Sequence, residues 1–386
     1  MKNEWEKVTL GDVVKIISGN TPSKENANFW NGEFPWISAK DMKTKYLSDS
    51  ILKLSKTGFD VANKAPVNSL VVLTRGMTLH TDVPICLVKK QLAFNQDVKC
   101  LIPNTTINSE YLYYYLQNNK RDLLNLVDSA GNGTGRLDSE ILKDMEICFP
   151  SPEEQINISD TLSTWDSVIE KTEKLIEKKE ALLNWYAKRI LISGKTSKVL
   201  FSDLFKLSSE KNTLNQSYPA LSVTKDGVVF QEEYFNKRVA SEDTSNYLIA
   251  RRNTFVFSGL NFWMGSVDLQ TLTDIGIISP AYKVFTINSD LISFEYAHFL
   301  IRSNYMKKLL MDSSIVGASI VRRNLDMDNL LNSAIELPTL EQQSKIVEQL
   351  SIIQKDIELN KMLLNQYKLQ KQGLMQKLLT GEWRVR

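Results

Sequence analysis

The chain has few of the residues on which metal sites, disulfide frameworks and membrane spans depend. Its 386 residues include two histidines and three cysteines, Cys86, Cys100 and Cys148, at spacings typical of neither a disulfide framework nor a zinc site. We expect buried free thiols in a reducing compartment. No apolar run approaches the roughly 18 residues of a membrane span, and no signal-peptide core follows the first residues. These features predict a cytoplasmic protein without membrane contact.

An excess of either charge is also missing. Lys and Arg number 47 against 45 Asp and Glu, which leaves a net charge of +2. A nucleic-acid-binding protein needs a basic face rather than a basic total, so this balance neither requires nor excludes DNA as a ligand. The hydrophobic content of 42% is sufficient for two separate cores.

One stretch of sequence occurs twice, at residues 151–194 and 339–381. Each copy opens with a helix-start signal, Ser or Thr followed three residues later by Glu or Gln. Apolar positions then alternate in steps of four and three, and corresponding positions such as Ile158 and Ile346 are 188 residues apart. A stripe this narrow and long is typical of a coiled coil. The alternative is two amphipathic helices packed on separate domains.

About 40 helical residues would form a rod of roughly 60 Å. We predict that the two helices pair antiparallel through the following seam residues: Ile158, Leu162, Trp165, Ile169, Ile176, Leu183, Ile346, Leu350, Ile353, Ile357, Leu364 and Leu374.

The stretches before each helix also resemble one another at low identity. Both mix short β-rich runs with helical patterns, and Pro35-Trp36-Ile37-Ser38 returns as Pro219-Ala220-Leu221-Ser222. We therefore predict a mixed α/β fold with a pseudo-two-fold internal repeat. Its four segments are a first globular domain at 1–150, a first helix at 151–195, a second globular domain at 196–337 and a second helix at 338–386.

Two similar domains on antiparallel helices of fixed length suit a ligand with two separated sites of different identity. Duplex DNA is the obvious one, because a rigid spacer sets the distance between half-sites while each domain reads its own half.

The two globular domains contain several distinctive motifs. They are Gly19-x-Thr21-Pro22-Ser23, Pro35-Trp36-Ile37-Ser38-x-Lys40-Asp41, Phe94-Asn95-Gln96, Pro219-x-Leu221-Ser222 and Gly276-Ile277-Ile278-Ser279-Pro280-Ala281-Tyr282. These motifs resemble those of a known family, the specificity subunits of type I restriction-modification systems. The resemblance covers the whole chain, and the Pro-x-x-Glu-Gln openings of both helices resemble the two conserved regions of the family.

The resemblance implies a DNA-reading subunit with no catalysis of its own. Two target-recognition domains would read the two parts of a bipartite, gapped target in double-stranded DNA. The paired helices would act as a spacer and as the docking surface for two methyltransferase subunits, which restriction-translocase subunits join. S-adenosylmethionine, ATP and Mg would be used by those partners, with no cofactor or metal in this chain. In agreement, the sequence has no Asn-Pro-Pro-Tyr-type methylation motif.

The candidate DNA-binding residues are polar or basic residues, with two aromatics, at strand ends and in loops. For any one of them, a solvated loop or a turn stabiliser is the alternative, and a surface ion-pair face explains the two arginine pairs equally well. In the first domain they are Thr21, Ser23, Lys24, Ser38, Lys40, Arg75, Asn95, Gln96 and Arg136. In the second they are Ser222, Thr224, Lys225, Arg251, Arg252, Ser258, Asn261, Trp263, Tyr282, Arg322 and Arg323.

Two other functions compete with DNA recognition. A coiled-coil scaffold would use its globular domains to bind protein partners rather than DNA. A self-contained methyltransferase or nuclease is disfavoured by the missing motifs.

Overall fold

The computed structural model describes residues 5–129, 133–237, 239–259, 261–316 and 323–385. The chain forms two compact units, Met1–Thr172 with Leu363–Arg386, and Glu173–Met362. Each unit holds one globular domain and a part of both long helices. The division between the two units falls inside the long helices.

The first globular domain is built from short strands and helices. Its central strand, Leu70–Leu73, is Leu-Val-Val-Leu and buried at every residue, as expected of a strand covered on both faces. The strands are β1 Glu6–Thr9, β2 Val14–Ser18, β3 Trp30–Ile37, β4 Tyr46–Leu47, β5 Leu52–Leu54, β6 Lys64–Ala65, β7 Leu70–Leu73, β8 Arg75–Gly76, β9 Ile85–Val88, β10 Leu92–Phe94, β11 Val98–Pro103, β12 Val127–Ser129, β13 Gly135–Leu137 and β14 Glu146–Phe149. The helices are α1 Leu10–Val13, α2 Lys56–Val61, α3 Ser109–Asn118, α4 Lys120–Asn125 and α5 Ser139–Asp144.

These strands form four small sheets. The orders are β2-β11-β7-β9-β4, β5-β3-β10-β6, β12-β13-β8 and the pair β1-β14. The β3–β10 and β4–β9 pairs are parallel and the other pairs are antiparallel. Because β1 pairs with β14, the start and the end of the domain meet beside the first long helix.

The second domain repeats this plan. Its strands are β15 Thr196–Leu200, β16 Phe205–Ser208, β17 Ala220–Thr224, β18 Gly227–Phe230, β19 Leu248–Arg251, β20 Phe255–Ser258, β21 Val267–Leu269, β22 Ile275–Ile278, β23 Tyr282–Ile287, β24 Ser314–Val316, β25 Arg323–Leu325 and β26 Ala334–Pro338. They form the sheets β16-β23-β20-β21, β18-β17-β22-β19, β15-β26 and β24-β25. The β15–β26 pair corresponds to β1–β14, and the β24–β25 pair corresponds to β12–β13, so the predicted internal repeat is confirmed.

The helices of the second domain are α7 Phe201–Leu204, α8 Gln231–Phe235, α9 Phe294–Arg302, α10 Asn304–Asp312 and α11 Met327–Leu331. The long helices are α6, Pro152–Ile190, and α12, Leu340–Leu379. Within the described residues, no helix combines the length and the hydropathy that a membrane span requires.

The long helices pair antiparallel within each unit. In the first unit, Trp165 meets Tyr367 with ring centroids 5.9 Å apart. In the second unit, Tyr186 donates a hydrogen bond of 2.9 Å to Gln349.

In the same unit, Lys179 of α6 pairs with Asp356 of α12, and in the first unit Glu154 of α6 pairs with Arg384, just beyond α12. Within each unit, positions therefore rise along one helix as they fall along the other, and the predicted antiparallel coiled coil is confirmed. All twelve predicted seam residues are buried or half-buried.

A buried glutamine joins the start of each long helix to its own domain. Gln155 Oε1 accepts from the backbone N–H of Asn108, the N-cap of α3, at 2.7 Å, and Nε2 donates to the carbonyls of Thr106 and Pro150 at 3.0 and 2.9 Å. Gln343 makes the same three bonds to Ser293, the N-cap of α9, and to two carbonyls. Both glutamines are fully buried. Both helices open with Pro-x-x-Glu-x-Gln, and this contact gives the final glutamine of that opening a structural role.

The three cysteines are free thiols, but Cys148 is half-buried and not buried as predicted. Cys86 and Cys100 are buried, and burial raises the pKa of Cys86 to about 12 and that of Cys100 to about 11. Both thiols therefore stay protonated and unreactive at neutral pH.

Candidate nucleic-acid interface

The loop after β2 lies along the end of β10 in the first domain. Asn20 N–H donates to the carbonyl of Phe94 at 3.0 Å, and a Cβ at Gly19 would stand closer than 3.0 Å to the carbonyls of Phe94 and Asn95. Only glycine permits this approach. It brings Thr21 to Gln96, with the hydroxyl donating to Oε1 at 2.6 Å.

A cleft of about 350 Å³, lined by three basic side chains and by Asp138 and Glu140, opens beside this contact. Arg75, Gln96, Lys99 and Arg136 line it, and the antiparallel β8–β13 pair sets Arg136 opposite Arg75. Arg136 pairs with Asp138 at 2.9 Å, whereas among the described residues no carboxylate pairs with Arg75. A cleft with an unpaired guanidinium and an oriented amide can receive a phosphate or a base edge.

Lys99 was not among the predicted residues. It lies between buried Val98 and buried Cys100 on β11, so strand alternation alone directs it outward. Its Nζ donates to Ser18 Oγ at 2.7 Å. That alternation, three residues after Gln96, was the signal that could have identified it.

Some of the other predicted residues of the first domain are exposed, and others already form hydrogen bonds within the protein. Ser23, Lys24 and Lys40 are exposed in loops. Ser38 donates to Asp41 through both its backbone N–H and its hydroxyl at 2.9 Å, which closes a turn. Asn95 is buried and donates to Asp97 at 3.1 Å.

In the second domain, four predicted residues gather where β20 ends and β23 begins. Tyr282 is the cross-strand partner of Ser258, and the Ser258 hydroxyl accepts from Asn261 N–H at 3.1 Å. Buried Phe262 anchors this loop, leaving Asn261 exposed and Trp263 half-buried. The loop follows β20 as the Arg75 loop follows β7, so the two domains present corresponding strand ends.

The arginine pair at the end of β19 lies in ion pairs. Arg251 contacts Glu210 at 2.6 Å, and Arg252 contacts Asp274 at 2.8 Å and donates to the carbonyl of Thr271. The hydrogen bond and charge of Glu210 raise the pKa of Arg251. The structure thus shows the surface ion-pair arrangement that was the alternative to DNA contact.

The remaining predicted residues of the second domain belong to strands β17 and β25, to the β17–β18 turn, or to the part of the chain outside the described residues. Ser222 is buried and accepts from Gln231 at 3.0 Å. Thr224 closes the β17–β18 turn through Gly227, and Lys225 is exposed at its tip. Arg323 pairs with Val316 through the β24–β25 ladder. Arg322 lies outside the described residues.

Comparison with known proteins decides the family. The family model of the type I restriction modification DNA specificity domain matches the chain twice, over residues 2–181 and 196–369. The chain belongs to this family. The resemblance predicted from the sequence motifs is confirmed, and each half of the chain carries one copy of the specificity domain.

Relatives from two organisms support the assignment. The EcoR124I/EcoR124II specificity subunit of Escherichia coli is 31% identical over 195 residues, which cover 47% of this chain and 46% of that protein. The match thus spans about half the length of that relative. The MjaVIII specificity subunit of Methanocaldococcus jannaschii is 25% identical over 422 aligned residues, covering 99% of this chain and 94% of its own.

Solved structures show the same fold. The S subunit of the type I restriction-modification system from M. genitalium has a TM-score of 0.53 at 15% identity, covering 98% of this chain and 97% of its own. A chain from a structural study of complex assembly and conformational transition of the type I R-M system has a TM-score of 0.61, also at 15% identity, with 97% of both chains covered.

Proposed function

We propose that this specificity-family chain is the DNA-recognition subunit of a type I restriction-modification complex. Each globular domain reads one part of a bipartite, gapped target in double-stranded DNA. The observation that carries the proposal is the duplication: the two domains present corresponding strand ends with different side chains, arginine and glutamine in the first and aromatic and asparagine in the second.

The interface is proposed at those two strand ends. In the first domain, Arg75, Lys99 and Arg136 would contact phosphates or guanine, and Gln96 would reach a base edge. Exposed Ser23, Lys24 and Lys40 would add contacts to the sugar-phosphate backbone of the DNA. In the second domain, Asn261, Trp263 and Tyr282 take this role, with Thr224 and Lys225 as outer contacts. Arg322 and Arg323 stay candidates on the sequence alone. Ser38, Ser222 and Ser258 support the fold.

The helices are proposed as the spacer and as the docking surface for two methyltransferase subunits. Support comes from apolar side chains on the helices of the second unit that remain exposed, such as Leu182 at 50%, Trp185 at 52% and Ile352 at 66%. Large exposed apolar side chains in one region mark protein interaction sites. Restriction-translocase subunits would join this assembly.

Catalysis is assigned to the partners. S-adenosylmethionine, ATP and Mg serve those subunits, and in the described ranges no three His, Cys, Asp or Glu side chains are grouped to hold a metal ion. We propose a non-catalytic cytoplasmic chain.

The test is methylome sequencing of a host that carries this chain with its methyltransferase partner, compared with the partner alone. A bipartite gapped motif should appear only with both. Replacing residues 1–150 or 196–337 by those of a relative should change one half of the motif at a time. A chain that yields no new motif, and whose complex binds DNA equally weakly at two salt concentrations, would act as a protein scaffold instead.

A further inference from the structure

A lysine of the first domain is enclosed by aromatic rings beside the long helices. Lys45 Nζ lies 4.2 Å from the ring centroid of Tyr114, 4.8 Å from that of Tyr46 and 5.3 Å from that of Tyr113. Its side chain is only 13% exposed. A cation held against three ring faces loses much of its water, so its remaining partners must supply negative charge.

Those partners come from two helices, and one of them contacts a third. Lys45 Nζ stands 3.0 Å from Glu110 of α3 and 3.2 Å from Asp166 of α6, and it donates to the Tyr114 hydroxyl at 2.6 Å. The Tyr114 hydroxyl donates in turn to Asp166 Oδ2 at 2.5 Å. The other oxygen of Asp166 accepts from Lys371 of α12. We call these five residues the latch.

Both oxygens of the Asp166 carboxylate therefore accept hydrogen bonds, one from the domain and one from α12. Burial alone would raise the pKa of Asp166, but the hydrogen bonds from Lys371 and Tyr114 and the charges of both lysines outweigh it and hold the pKa below its ordinary value. The group stays ionised at neutral pH. Charge-assisted bonds are directional, so this carboxylate cannot turn without breaking one set.

The second unit has no equivalent among its described residues. Gln354 and Leu183 stand 188 residues from Asp166 and Lys371, at the same positions of the helix repeat, and counting from the N-caps of α3 and α9 aligns Phe299 with Tyr114. Gln354 donates to Glu358 on its own helix at 2.9 Å. A lysine in the 4-3 stripe costs stability unless it is paired. Lys371 of the first unit pairs with Asp166, which also binds the domain, whereas Lys179 of the second unit pairs with Asp356 of the facing helix.

We propose that the latch positions the first recognition domain on its own helix segments, and that Asp166 is the positioning residue that fixes its angle. The inference rests on the proposed function, in which a fixed angle means that the first half-target is read at one distance along DNA. Apolar contacts have no preferred direction, so those of the second unit fix the angle of its domain on the helices less sharply than the latch does in the first.

The experiment compares Asp166→Ala with its matched control, Gln354→Ala, each in the full chain with the methyltransferase partner. Methylome sequencing of the Asp166→Ala host should show both half-sequences unchanged but methylated also at gaps about one base pair longer or shorter. Gln354→Ala should keep the parental gap. A variant Asp166→Ala that methylates only the parental gap would overturn the proposal.

A second measurement does not depend on DNA recognition. Hydrogen exchange of the purified complex should rise on the order of tenfold in peptides 42–47 and 110–117 with Asp166→Ala, and stay unchanged with Gln354→Ala. Equal exchange in both variants would refute the latch. A parent chain that yields no bipartite motif refutes the proposed function instead, and the exchange data still decide the latch.

Tyr114→Phe protects the test against simple misfolding. It keeps the aromatic wall and installs the residue that the second unit has at this place, removing only the hydroxyl between Lys45 and Asp166. The same spread of gap lengths, to a smaller extent, is expected. A Tyr114→Phe protein with parental gap and parental exchange, alongside a misfolded Asp166→Ala protein, would overturn the positioning role.

Discussion

The two units share one plan but attach their domains to the helices by different chemistry. Both use a buried glutamine that binds the N-cap of a domain helix. Beyond it, the first unit uses the ionic latch, whereas in the second His298 and Arg302 of α9 line a cleft with Leu183 and Ile357 of the helices. The repeated contact is what the fold requires, and the divergent contact is where each unit has been adjusted separately.

Their proposed DNA faces differ in the same way. Arg75 in the first unit is exposed without a carboxylate partner among the described residues, while Arg251 in the second is held by Glu210. An arginine in an ion pair must leave its carboxylate before it binds a phosphate. Two arginines can therefore contribute differently to DNA affinity.

The largest effect is expected where the units agree. Gln155→Glu and Gln343→Glu each place a carboxylate against two backbone carbonyls and leave both carbonyls without a donor, which should destabilise the corresponding unit by about 3 kcal/mol or more. The measurement is the opening free energy of each unit from hydrogen exchange. Gln370→Ala, at an exposed site of α12, should change it by less than about 0.5 kcal/mol. Unequal losses in the two units would contradict the shared role.

The next effect separates the units. Lys371→Leu installs the leucine of the second unit and leaves the half-buried carboxylate of Asp166 with Lys45 and Tyr114 alone, which should destabilise the first unit by about 2 kcal/mol. Adding Asp166→Gln should restore most of that loss, because it removes the remaining charge. Denaturant unfolding of the four proteins forms a double-mutant cycle. Additive effects would show that the pair is not coupled.

Much of this architecture could be predicted from the sequence because it repeats. The 3-4 stripe, its two copies and the matching helix starts identify the coiled coil, since helix periodicity is a local property of the chain. The strand ends that carry Arg75 and Ser258 could be located by turn residues next to β-branched runs.

The hydrogen-bond and ion-pair partners of individual side chains could not be predicted. Ser38 and Ser222 resemble exposed Ser in sequence, yet the turn at Asp41 and the side chain of Gln231 occupy them. The latch joins Lys45 to residues 121 and 326 positions away along the chain, Asp166 and Lys371. Such pairing depends on tertiary contacts, which residue type and order do not encode locally.

A smaller effect tests the two DNA faces. Arg75→Ala should weaken binding of the complex to its target about tenfold and reduce the slope of log affinity against log salt by about 0.9, as expected for one lost phosphate contact. Arg251→Ala, the control, should stay within about twofold, because Glu210 already engages that guanidinium. Shift assays over a series of salt concentrations measure both. Equal losses would mean that Arg251 leaves Glu210 when DNA binds.

The smallest effect is a difference in acid stability. Burial lowers the pKa of His298. The charge of Arg302 lowers this pKa further, and the charges of Asp268 and Glu358 oppose the shift. The unfolded chain then binds more protons than the folded one below about pH 6.5, so the second unit loses stability as pH falls from 7 to 5. The lowered pKa of Asp166 acts in a lower window: its contribution is present above the unfolded value of about 3.9 and is lost as pH falls through the folded value. Hydrogen exchange at pH 7 and 5, corrected for intrinsic rates, should therefore show loosening of the second unit alone. His298→Phe should abolish that change, and loosening of both units between these pH values would show that the difference in attachment does not govern acid stability.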